Sequence, residues 1–260
     1  MPTEPKHIHS RLNPEFRQLL DLARNPSTRR QAGQTLLEGE HLIESAQAAG
    51  VPLRRLILSE SQAECTDWFG RSPDVPARIL TDALMRDLST LVTPAGVMAV
   101  IDLPHPGEGR AERVLLLEEV QDPGNLGALL RTAAAAGVGL ACLSPGCAEA
   151  WSPKALRGGQ GAQFMLAIRE GVDLFDFIAR FPGAVWAAAA GQGPSLYALE
   201  LGAPLAFVFG NEGAGLSPGV LACARPFHIP MATGVESLNV AAAAAVTLFE
   251  VRRRLDGLGT

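Results

Sequence analysis

The sequence is short of cysteine, and this shortage excludes two kinds of small scaffold. Four of the 260 residues are cysteine (Cys65, Cys142, Cys147 and Cys223), and none of them forms a C-x-x-C pair. A disulfide framework or a structural zinc site is therefore not expected, and free thiols fit a reducing compartment. The histidines show no metal-ligand spacing either, so we expect no bound metal.

Long apolar runs are also missing. No run reaches the roughly 18 residues that a membrane-spanning helix needs, and the N-terminal MPTEPKHIHSRLN lacks the apolar core of a signal peptide. Apolar residues still make up 47% of the chain, which is enough for a sizeable core. We therefore expect a soluble, cytoplasmic protein without membrane contacts, built from one large or two modest domains.

Positive charge is scarce overall but unevenly distributed. The net charge is −5, which argues mildly against nucleic-acid binding. Residues 1–30, however, hold six basic residues against three acidic ones, and nearly all cations of the chain are arginines. Arginine is the better bidentate phosphate binder, although a genomic composition bias explains its excess equally well.

The first part of the chain alternates between predicted helices and strands. After a basic helical lead-in over residues 1–30, with a helix from 14 to about 22, we predict a small α/β domain over 31–104. Its strands are expected at 34–38, 53–58, 77–80 and 97–101, and its helices at 39–49, 62–68 and 82–88. Pro104–Gly109 contains four Pro or Gly in six positions, so residues 105–110 are predicted to be a linker.

The second part, residues 111–260, predicts a mostly parallel sheet, because its strands are separated by helices. The strands are expected at 114–120, 138–143, 164–168, 184–190, 205–209 and 227–229. The helices are expected near 125–136, 152–157, 174–181 and 238–255, with Ser152 and Ser237 as caps of the second and last. Arg252, Arg253 and Arg254 suit a solvated helix end.

Two glycine-bearing turns follow strands of this second part. FGNEGAG carries Gly210, Gly213 and Gly215, which allow a ligand to approach the main chain, and IPMATGVESLN follows some twenty residues later. In open α/β sheets, ligands bind at the carboxyl ends of strands. The glycine order differs from the dinucleotide fingerprint, and no P-loop occurs. Two ordinary turns are the alternative to one pocket built largely from backbone.

A third polar turn, DPGNLGALLR, opens the Ala-rich helix near residue 125. Asn125 and Arg131 are six residues apart, so both side chains are candidates to face the strand ends. A capped helix with a surface arginine is the alternative.

The three turns together resemble a known family. DPGNLGALLRTA, FVFGNEGAGLS and IPMATGVESLNVAAA look like motifs one, two and three of the SpoU/TrmH-type RNA ribose 2′-O-methyltransferases of the SPOUT superfamily, in family order and spacing. Ser152–Arg157 is similar to the family's S-P-K-A-x-R segment, although Gly158-Gly159-Gln160 departs from the pattern that follows it. Residues 33–102 resemble the N-terminal substrate-binding domain of the two-domain members.

The resemblance implies a fold and a cofactor. The fold is α/β, with an L30e-like small domain followed by a sheet tied in a deep trefoil knot. The knot would bind S-adenosylmethionine as methyl donor. Carried over to this sequence, the donor-binding residues are Ala189, Ala190, Gly210, Asn211, Gly215, Ile229, Met231, Ser237, Leu238 and Asn239.

The resemblance also implies a reaction, methyl transfer to a ribose 2′-hydroxyl. Because the sulfonium methyl is already activated, positioning supplies most of the catalysis and no metal is needed. Asn125, Arg131, Glu212 and Asn239 are the implied catalytic residues. Arg131 is always protonated, so we expect a phosphate clamp rather than a base. Glu212 is then either the proton acceptor or an organiser of Arg131, while Asn125 and Asn239 orient the hydroxyl and the donor.

The implied partners are RNA and a second copy of the chain. Structured ribosomal RNA is preferred over tRNA, with RNA contacts from Arg11, Arg30, Arg131, Lys154 and Arg157. The homodimer would form through the knotted domain. A tRNA ribose methyltransferase, a base-methylating relative and a non-catalytic ribosome-assembly factor are the alternatives.

Overall fold

The computed structural model describes residues 5–65, 67–105 and 111–257. The chain divides into two compact units, each with its own hydrophobic core. The first unit comprises Met1–His105 and Trp151–Phe164, and the second comprises Pro106–Ala150 and Met165–Thr260. Apart from residue 105, the predicted linker lies outside the described residues. Within the described ranges, no helix is both long and apolar enough to cross a membrane.

The first unit contains a five-stranded mixed sheet in the order β1-β4-β3-β5-β2. β1, β4 and β3 are parallel, whereas β5 is antiparallel to both β3 and β2. The elements are β1 (Lys6–Ile8), α1 (Pro14–Arg24), α2 (Pro26–Ala32), β2 (Gln34–Glu38), α3 (Glu40–Ala48), β3 (Leu53–Ser59), α4 (Glu60–Ala63), α5 (Trp68–Arg71), β4 (Ala77–Leu80), α6 (Asp82–Leu88) and β5 (Val97–Asp102).

Helix α1 shows how local signals specify the first unit. The Asn13 side chain accepts hydrogen bonds from the main-chain N–H groups of Glu15 and Phe16, and Pro14 occupies the first helical position. Phe16, Leu19 and Leu22 recur at helical spacing and are buried. Each buried side chain of this size contributes roughly 1.5–3 kcal/mol, so core packing outweighs the cap.

Two predictions for the first unit are wrong. The helix expected at 62–68 is replaced by α4 and α5, because Ser59 caps a helix that begins at Glu60 and Trp68 begins another. The Trp68 side chain is buried, and its indole N–H donates to Glu40 Oε1 at 3.3 Å. Strand β1 within the lead-in was not expected, because its pairing with β4 leaves no local sequence signal.

The segment Trp151–Phe164 belongs to the first unit, although it lies within the range 111–260 assigned to the second domain from sequence. Its helix α8 (Pro153–Gly159) is capped by Ser152, as predicted. The buried Thr35 hydroxyl of β2 donates to the carbonyl of Trp151 at 2.7 Å. This distant contact explains why the sequence alone did not associate the segment with the first unit.

The departure at Gly158-Gly159-Gln160 has a packing reason. A Cβ at Gly159 would overlap the side-chain amide of Gln163, which donates from Nε2 to the carbonyl of Ala155 at 2.9 Å. Gln160 then ends α8 in the left-handed conformation at φ 50°. The strand expected at 164–168 is wrong, since residues 162–164 form a 3₁₀ turn and β8 begins only at Ala167.

The second unit contains a six-stranded sheet in the order β11-β9-β10-β6-β7-β8, and all of its strands are parallel. The elements are β6 (Arg113–Leu117), α7 (Pro123–Ala135), β7 (Leu140–Leu143), β8 (Ala167–Arg169), α9 (Leu174–Arg180), β9 (Ala184–Ala188), β10 (Leu205–Phe209), α10 (Pro218–Cys223), β11 (Arg225–Phe227) and α11 (Val240–Leu255). Because the strands are parallel, the loops after β6, β9, β10 and β11 leave the sheet at one edge.

Strands β6, β9 and β11 end earlier than predicted, at Leu117, Ala188 and Phe227. The polar turns therefore begin two or three residues sooner. The predicted cap Ser237 is also wrong, because α11 begins at Val240. Asn239 is its cap and accepts from the N–H groups of Ala241 and Ala242 at 2.9 and 3.3 Å.

The arginines at the end of α11 are not simply solvated, contrary to prediction. Arg252 donates to the carbonyl of Ala135 at the end of α7, and Arg254 donates to the carbonyl of Leu199 at 2.7 Å. Only Arg253 behaves as a surface residue, paired with Glu250 one turn earlier. Helix α11 is thereby fixed against α7, the helix with which it makes its main contact.

Glu119, just after β6, adopts a left-handed conformation at φ 50°, which is costly for a residue with a side chain. Its N–H donates to Ser144 Oγ at 3.0 Å, and its carbonyl accepts from Asn211 Nδ2 at 2.9 Å. Since both contacts use main-chain groups, they hold the residue in this conformation and do not depend on the carboxylate.

We expect Glu119→Gly to raise the free energy of unfolding by about 0.5–1 kcal/mol, after the larger unfolded-state entropy of glycine is subtracted. This corresponds to a rise in melting temperature of roughly 1–4 °C. Glu119→Ala is the matched control, since it removes the carboxylate but keeps the Cβ. Equal melting temperatures for the two variants would contradict the assignment of backbone strain.

Candidate active site

A cavity of about 490 Å³ lies at the carboxyl edge of the second unit's sheet. It is bounded by the ends of β9, β10 and β11 and by the N-termini of α7 and α11. All ten residues expected to hold the donor line it, as do Asn125 and Glu212. Eight further residues that line the cavity were not predicted, and each lies within four positions of a predicted one: Ala188, Phe209, Gly213, Ala214, Phe227, His228, Val240 and Ala243.

The turn after β10 is closed on itself. Asn211 and Gly215 exchange main-chain hydrogen bonds of 2.9 and 3.1 Å, and Asn211 Oδ1 accepts from the N–H groups of Gly213 and Ala214 at 2.9 Å. A Cβ at Gly210 would collide with the main chain of Gly215, so only glycine fits there. The turn therefore presents main-chain groups to the cavity in a fixed arrangement.

A residue outside the predicted set anchors the end of this turn. The Glu118 carboxylate accepts from the N–H and the hydroxyl of Ser217 at 2.8 and 2.6 Å. Ser217 in turn caps α10. Glu118 directly precedes Glu119 after β6, and a pair of acidic residues at a strand end is the signal that would have identified it.

Glu212 connects the second motif to the first. Its carboxylate accepts hydrogen bonds from the N–H groups of Gln121 and Asp122 at 3.3 and 3.2 Å and from Asn125 Nδ2 at 3.1 Å. These donors belong to the turn that opens α7, which begins at Pro123 with Asp122 as its cap. Glu212 thus organises the N-terminus of α7. No hydrogen bond between Glu212 and Arg131 is among the contacts of the described residues.

Asn239 adds the third motif to the same network. Because its Oδ1 caps α11, its Nδ2 is the group left to donate, and it does so to Asn125 Oδ1 at 3.0 Å. The Asn125 amide must then turn its own Nδ2 toward Glu212. We call this series Glu212–Asn125–Asn239 the polar chain. Its hydrogen-bond direction is fixed from end to end.

The polar chain favours an ionised Glu212, because protonation would turn one carboxylate oxygen into a donor that faces N–H donors. Burial raises the pKa of Glu212, but hydrogen bonds from Asn125 and from main-chain N–H groups outweigh it, and the net pKa lies below the usual range. The network is therefore fully formed above the ordinary carboxyl pKa of about 4.3 and is lost as the pH falls through the lower folded-state value. A carboxylate with these donors is a weak base.

Arg131 does not line the cavity. Six residues of helix separate it from Asn125, which is about one and two-thirds turns, so the two side chains leave α7 on different faces. Arg131 is exposed, and it makes no hydrogen bond or ion pair with any described residue. The structure thus brings together three of the four predicted catalytic residues and leaves Arg131 apart.

The four other residues predicted to contact RNA lie in the first unit. Arg11 pairs with Asp87, and Arg30 is exposed at the end of α2. On α8, Lys154 is exposed, while Arg157 Nη1 donates to Thr90 Oγ1 at 3.1 Å. Arg157 is therefore held by its own unit rather than extended freely into solvent.

Comparisons with known proteins agree with this geometry. Residues 112–249, more than half of the chain, match the SpoU rRNA methylase family, and residues 13–99 match an MRM3-like substrate-binding domain. An uncharacterised tRNA/rRNA methyltransferase of Synechocystis sp. is 34% identical over 95% of this chain and 93% of its own length. The 23S rRNA (guanosine(2553)-2′-O)-methyltransferase RlmP of Bacillus subtilis is 32% identical, with 84% of this chain and 88% of that protein covered.

Among solved structures, the SpoU methyltransferase AviRb from Streptomyces viridochromogenes in complex with AdoMet superposes with a TM-score of 0.85. It is 26% identical, and the match covers 95% of this chain and 100% of that one. The chain belongs to the SpoU rRNA methylase family. The predicted α/β fold with a parallel C-terminal sheet is confirmed, as is the prediction of an S-adenosylmethionine-dependent RNA 2′-O-methyltransferase.

We expect Glu212→Gln to lower the rate of methyl transfer by about 10–100-fold, because an amide cannot accept from all three donors and hydrogen bonds to a charged group contribute about 1.5–3 kcal/mol. The measurement is single-turnover transfer of labelled methyl groups at saturating donor. Glu200→Gln is the matched control, as Glu200 is an exposed carboxylate of the same unit. A rate above half of wild type for Glu212→Gln would contradict the role of the polar chain.

Proposed function

We propose that the cavity of the second unit binds S-adenosylmethionine and that the chain methylates the 2′-hydroxyl of a ribose in ribosomal RNA. The observation that carries the proposal is the polar chain, which ties the three motifs together at the rim of this cavity. Ribosomal RNA is favoured because RlmP acts on 23S rRNA and because the first unit matches a substrate-binding domain of an rRNA methyltransferase type. A tRNA substrate is the alternative.

The cavity fits the donor in size and chemistry. Its volume of about 490 Å³ lies within the usual range for small-molecule sites, roughly 300–1,000 Å³. Apolar side chains and the main chain of two turns form part of its walls, which suits an adenosine and a short aliphatic chain. Glu212 is the acidic residue among those that line it, and an anion there favours a positively charged ligand.

The chain's own residues act by positioning. The donor supplies an activated methyl group, and the 2′-oxygen must approach it in line. Glu212 and Asn239 fix the direction of the Asn125 amide, and Asn125 in turn orients the ribose hydroxyl and the donor at the rim of the cavity. Arg131 carries a permanent charge and holds the RNA phosphate. Glu212 already accepts three hydrogen bonds, so its role is to position Asn125 rather than to take the hydroxyl proton.

We further propose that the site is completed by a second copy of the chain. Arg131 lies off the cavity of its own subunit, so the partner's Arg131 would enter it. Helix α11 carries an exposed apolar stripe at helical spacing, Ala242, Val246 and Phe249, with Val246 38% and Phe249 48% exposed. Val235 and Leu238, in the loop before α11, are also exposed. A symmetric dimer would cover these surfaces.

Three further features belong to the proposal. The all-parallel sheet and the convergence of the segments after β9, β10 and β11 on one cavity support a knotted path of residues 225–240. A methyltransferase domain over residues 111–260 is part of the proposal, and the family match to residues 112–249 supports it. A cytoplasmic location stays a prediction.

We expect Arg131→Ala to lower turnover by about 10²–10³-fold while donor affinity changes less than twofold, because Arg131 contacts the RNA and not the donor. The assay follows tritium from labelled donor into total ribosomal RNA, and the modified linkage must resist alkali. Arg253→Ala, an exposed helix arginine, is the control.

Near-normal turnover of Arg131→Ala would contradict the clamp. Wild-type protein that binds donor and RNA but transfers no label would instead favour a non-catalytic assembly factor. Label in tRNA rather than rRNA would replace the substrate and keep the reaction.

We expect Phe249→Glu to convert the dimer to monomers in size-exclusion chromatography with light scattering, since a charge would be buried in an apolar contact. Phe175→Glu on α9 is the matched control, because Phe175 is 49% exposed and lies off the stripe.

Mixed dimers of Arg131→Ala and Glu212→Gln subunits test the shared site directly. Each mixed dimer holds one cavity with an intact Glu212 and a partner's Arg131. Random pairing should restore about one quarter of wild-type turnover, as half the dimers are mixed and one site in each is complete. No restoration would contradict a site shared between subunits.

A further inference from the structure

The side chain of His228 lines the cavity but has no part in the polar chain. It follows β11 directly and is half-buried. Its Nδ1 lies 3.0 Å from the carbonyl oxygen of Gly193, in the loop that leaves β9. Because a carbonyl only accepts, the ring must carry its proton on Nδ1. The free ring nitrogen in the neutral form is then Nε2.

The loop that His228 contacts, residues 189–196, forms one wall of the cavity through Ala189 and Ala190. Main-chain hydrogen bonds join it to the segment after β11. Ala189 N donates to the carbonyl of Phe227 at 2.9 Å, and Leu196 N donates to the carbonyl of His228 at 2.8 Å. In the other direction, His228 N donates to the carbonyl of Pro194 at 3.0 Å.

Within the loop, Gln192 N donates to the carbonyl of Ala189 at 3.2 Å, a hydrogen bond that closes a turn but does not tie the loop to β11. Gly191 and Gly193 both adopt positive φ, at 69° and 68°, and the loop from Ala190 to Pro194 is exposed or half-buried. At Gly193, a Cβ would collide with the main chain of Pro226, so the loop passes directly over β11. The His228 ring is the side chain that holds the loop at this crossing.

We propose that His228 is a positioning residue for the methyl donor, acting as a latch that holds the 189–196 loop against β11. The inference rests on the proposed use of this cavity for the donor. The hydrogen bond from His228 fixes the position of Ala189 and Ala190 in the cavity wall before the donor binds. Loss of this hydrogen bond therefore weakens donor binding. It leaves the polar chain and Arg131 untouched, and the rate at saturating donor is therefore unaffected.

The experiment measures the dissociation constants of S-adenosylmethionine and its demethylated product by calorimetry on the full-length dimer. His228→Ala and His228→Gln should bind both about fivefold more weakly, which is the effect of one net hydrogen bond. His228→Asn should bind within twofold of wild type, because its amide N–H reaches about where Nδ1 lies. The Asn and Gln side chains have the same amide group and differ only in where that group lies. Gln192→Ala is the control, because Gln192 is an exposed residue of the same loop.

Two further readouts separate a latch from general damage. At saturating donor, kcat and the KM for RNA should match wild type in every variant, and hydrogen exchange at the Leu196 amide should accelerate in His228→Ala and His228→Gln alone. Melting temperatures identify any variant that fails to fold. If His228→Ala fails to fold, the difference in donor affinity between His228→Asn and His228→Gln still tests the latch.

The outcomes are distinct. Wild-type protein that binds no donor would overturn the proposed function and this inference with it. Wild-type binding with no loss in His228→Ala, or with equal losses in the Asn and Gln variants, would overturn the latch alone.

Discussion

The polar chain is the constraint on which the geometry of the second unit's site depends. As a carboxylate, Glu212 accepts three hydrogen bonds from the turn that opens α7, and the Asn125 amide donates to Glu212 on one side while it accepts from Asn239 on the other. Each of these residues comes from a different motif, separated by up to 114 positions in sequence. The site is therefore a single hydrogen-bonded unit rather than three independent turns.

The far end of α7 is held as firmly as its N-terminus. Arg113 Nη1 donates to the carbonyl of Ala136 at 3.2 Å, and Arg252 donates to that of Ala135. Cations at a helix C-terminus interact favourably with its dipole, while the carboxylate of Glu212 does so at the N-terminus. Because α7 carries both Asn125 and Arg131, fixing its two ends sets the positions from which these two side chains leave the helix.

Sequence reasoning succeeded where the signal is local. The cap at Asn13, the cap at Ser152 and the buried run of β10 each lie within a few residues of what they determine. The site residues were located by resemblance of whole motifs, which carries three-dimensional information that periodicity lacks. The predicted cap Ser237 lies two residues before the observed cap Asn239, whose amide also bonds to Asn125, a partner far along the chain.

The remaining failures share a cause, which is contact between distant segments. Strand β1 pairs with β4 some seventy residues later, and Arg252 finds a carbonyl 117 positions away. His228 was not predicted to be a site residue, because the histidines lack metal-ligand spacing. Its hydrogen bond to the carbonyl of Gly193 has no counterpart in the sequence pattern.

The grouping of Trp151–Phe164 with the first unit bears on how this architecture is inherited. Trp151, Ala155 and Leu156 are buried, and Thr35 of β2 holds the carbonyl of Trp151. A gene segment encoding only residues 111–260 would carry this helix away from the strand that covers it. Recombination that joins residues 111–260 to a different N-terminal domain must therefore also replace Trp151–Phe164. Exchange by simple end-to-end fusion is difficult for this reason.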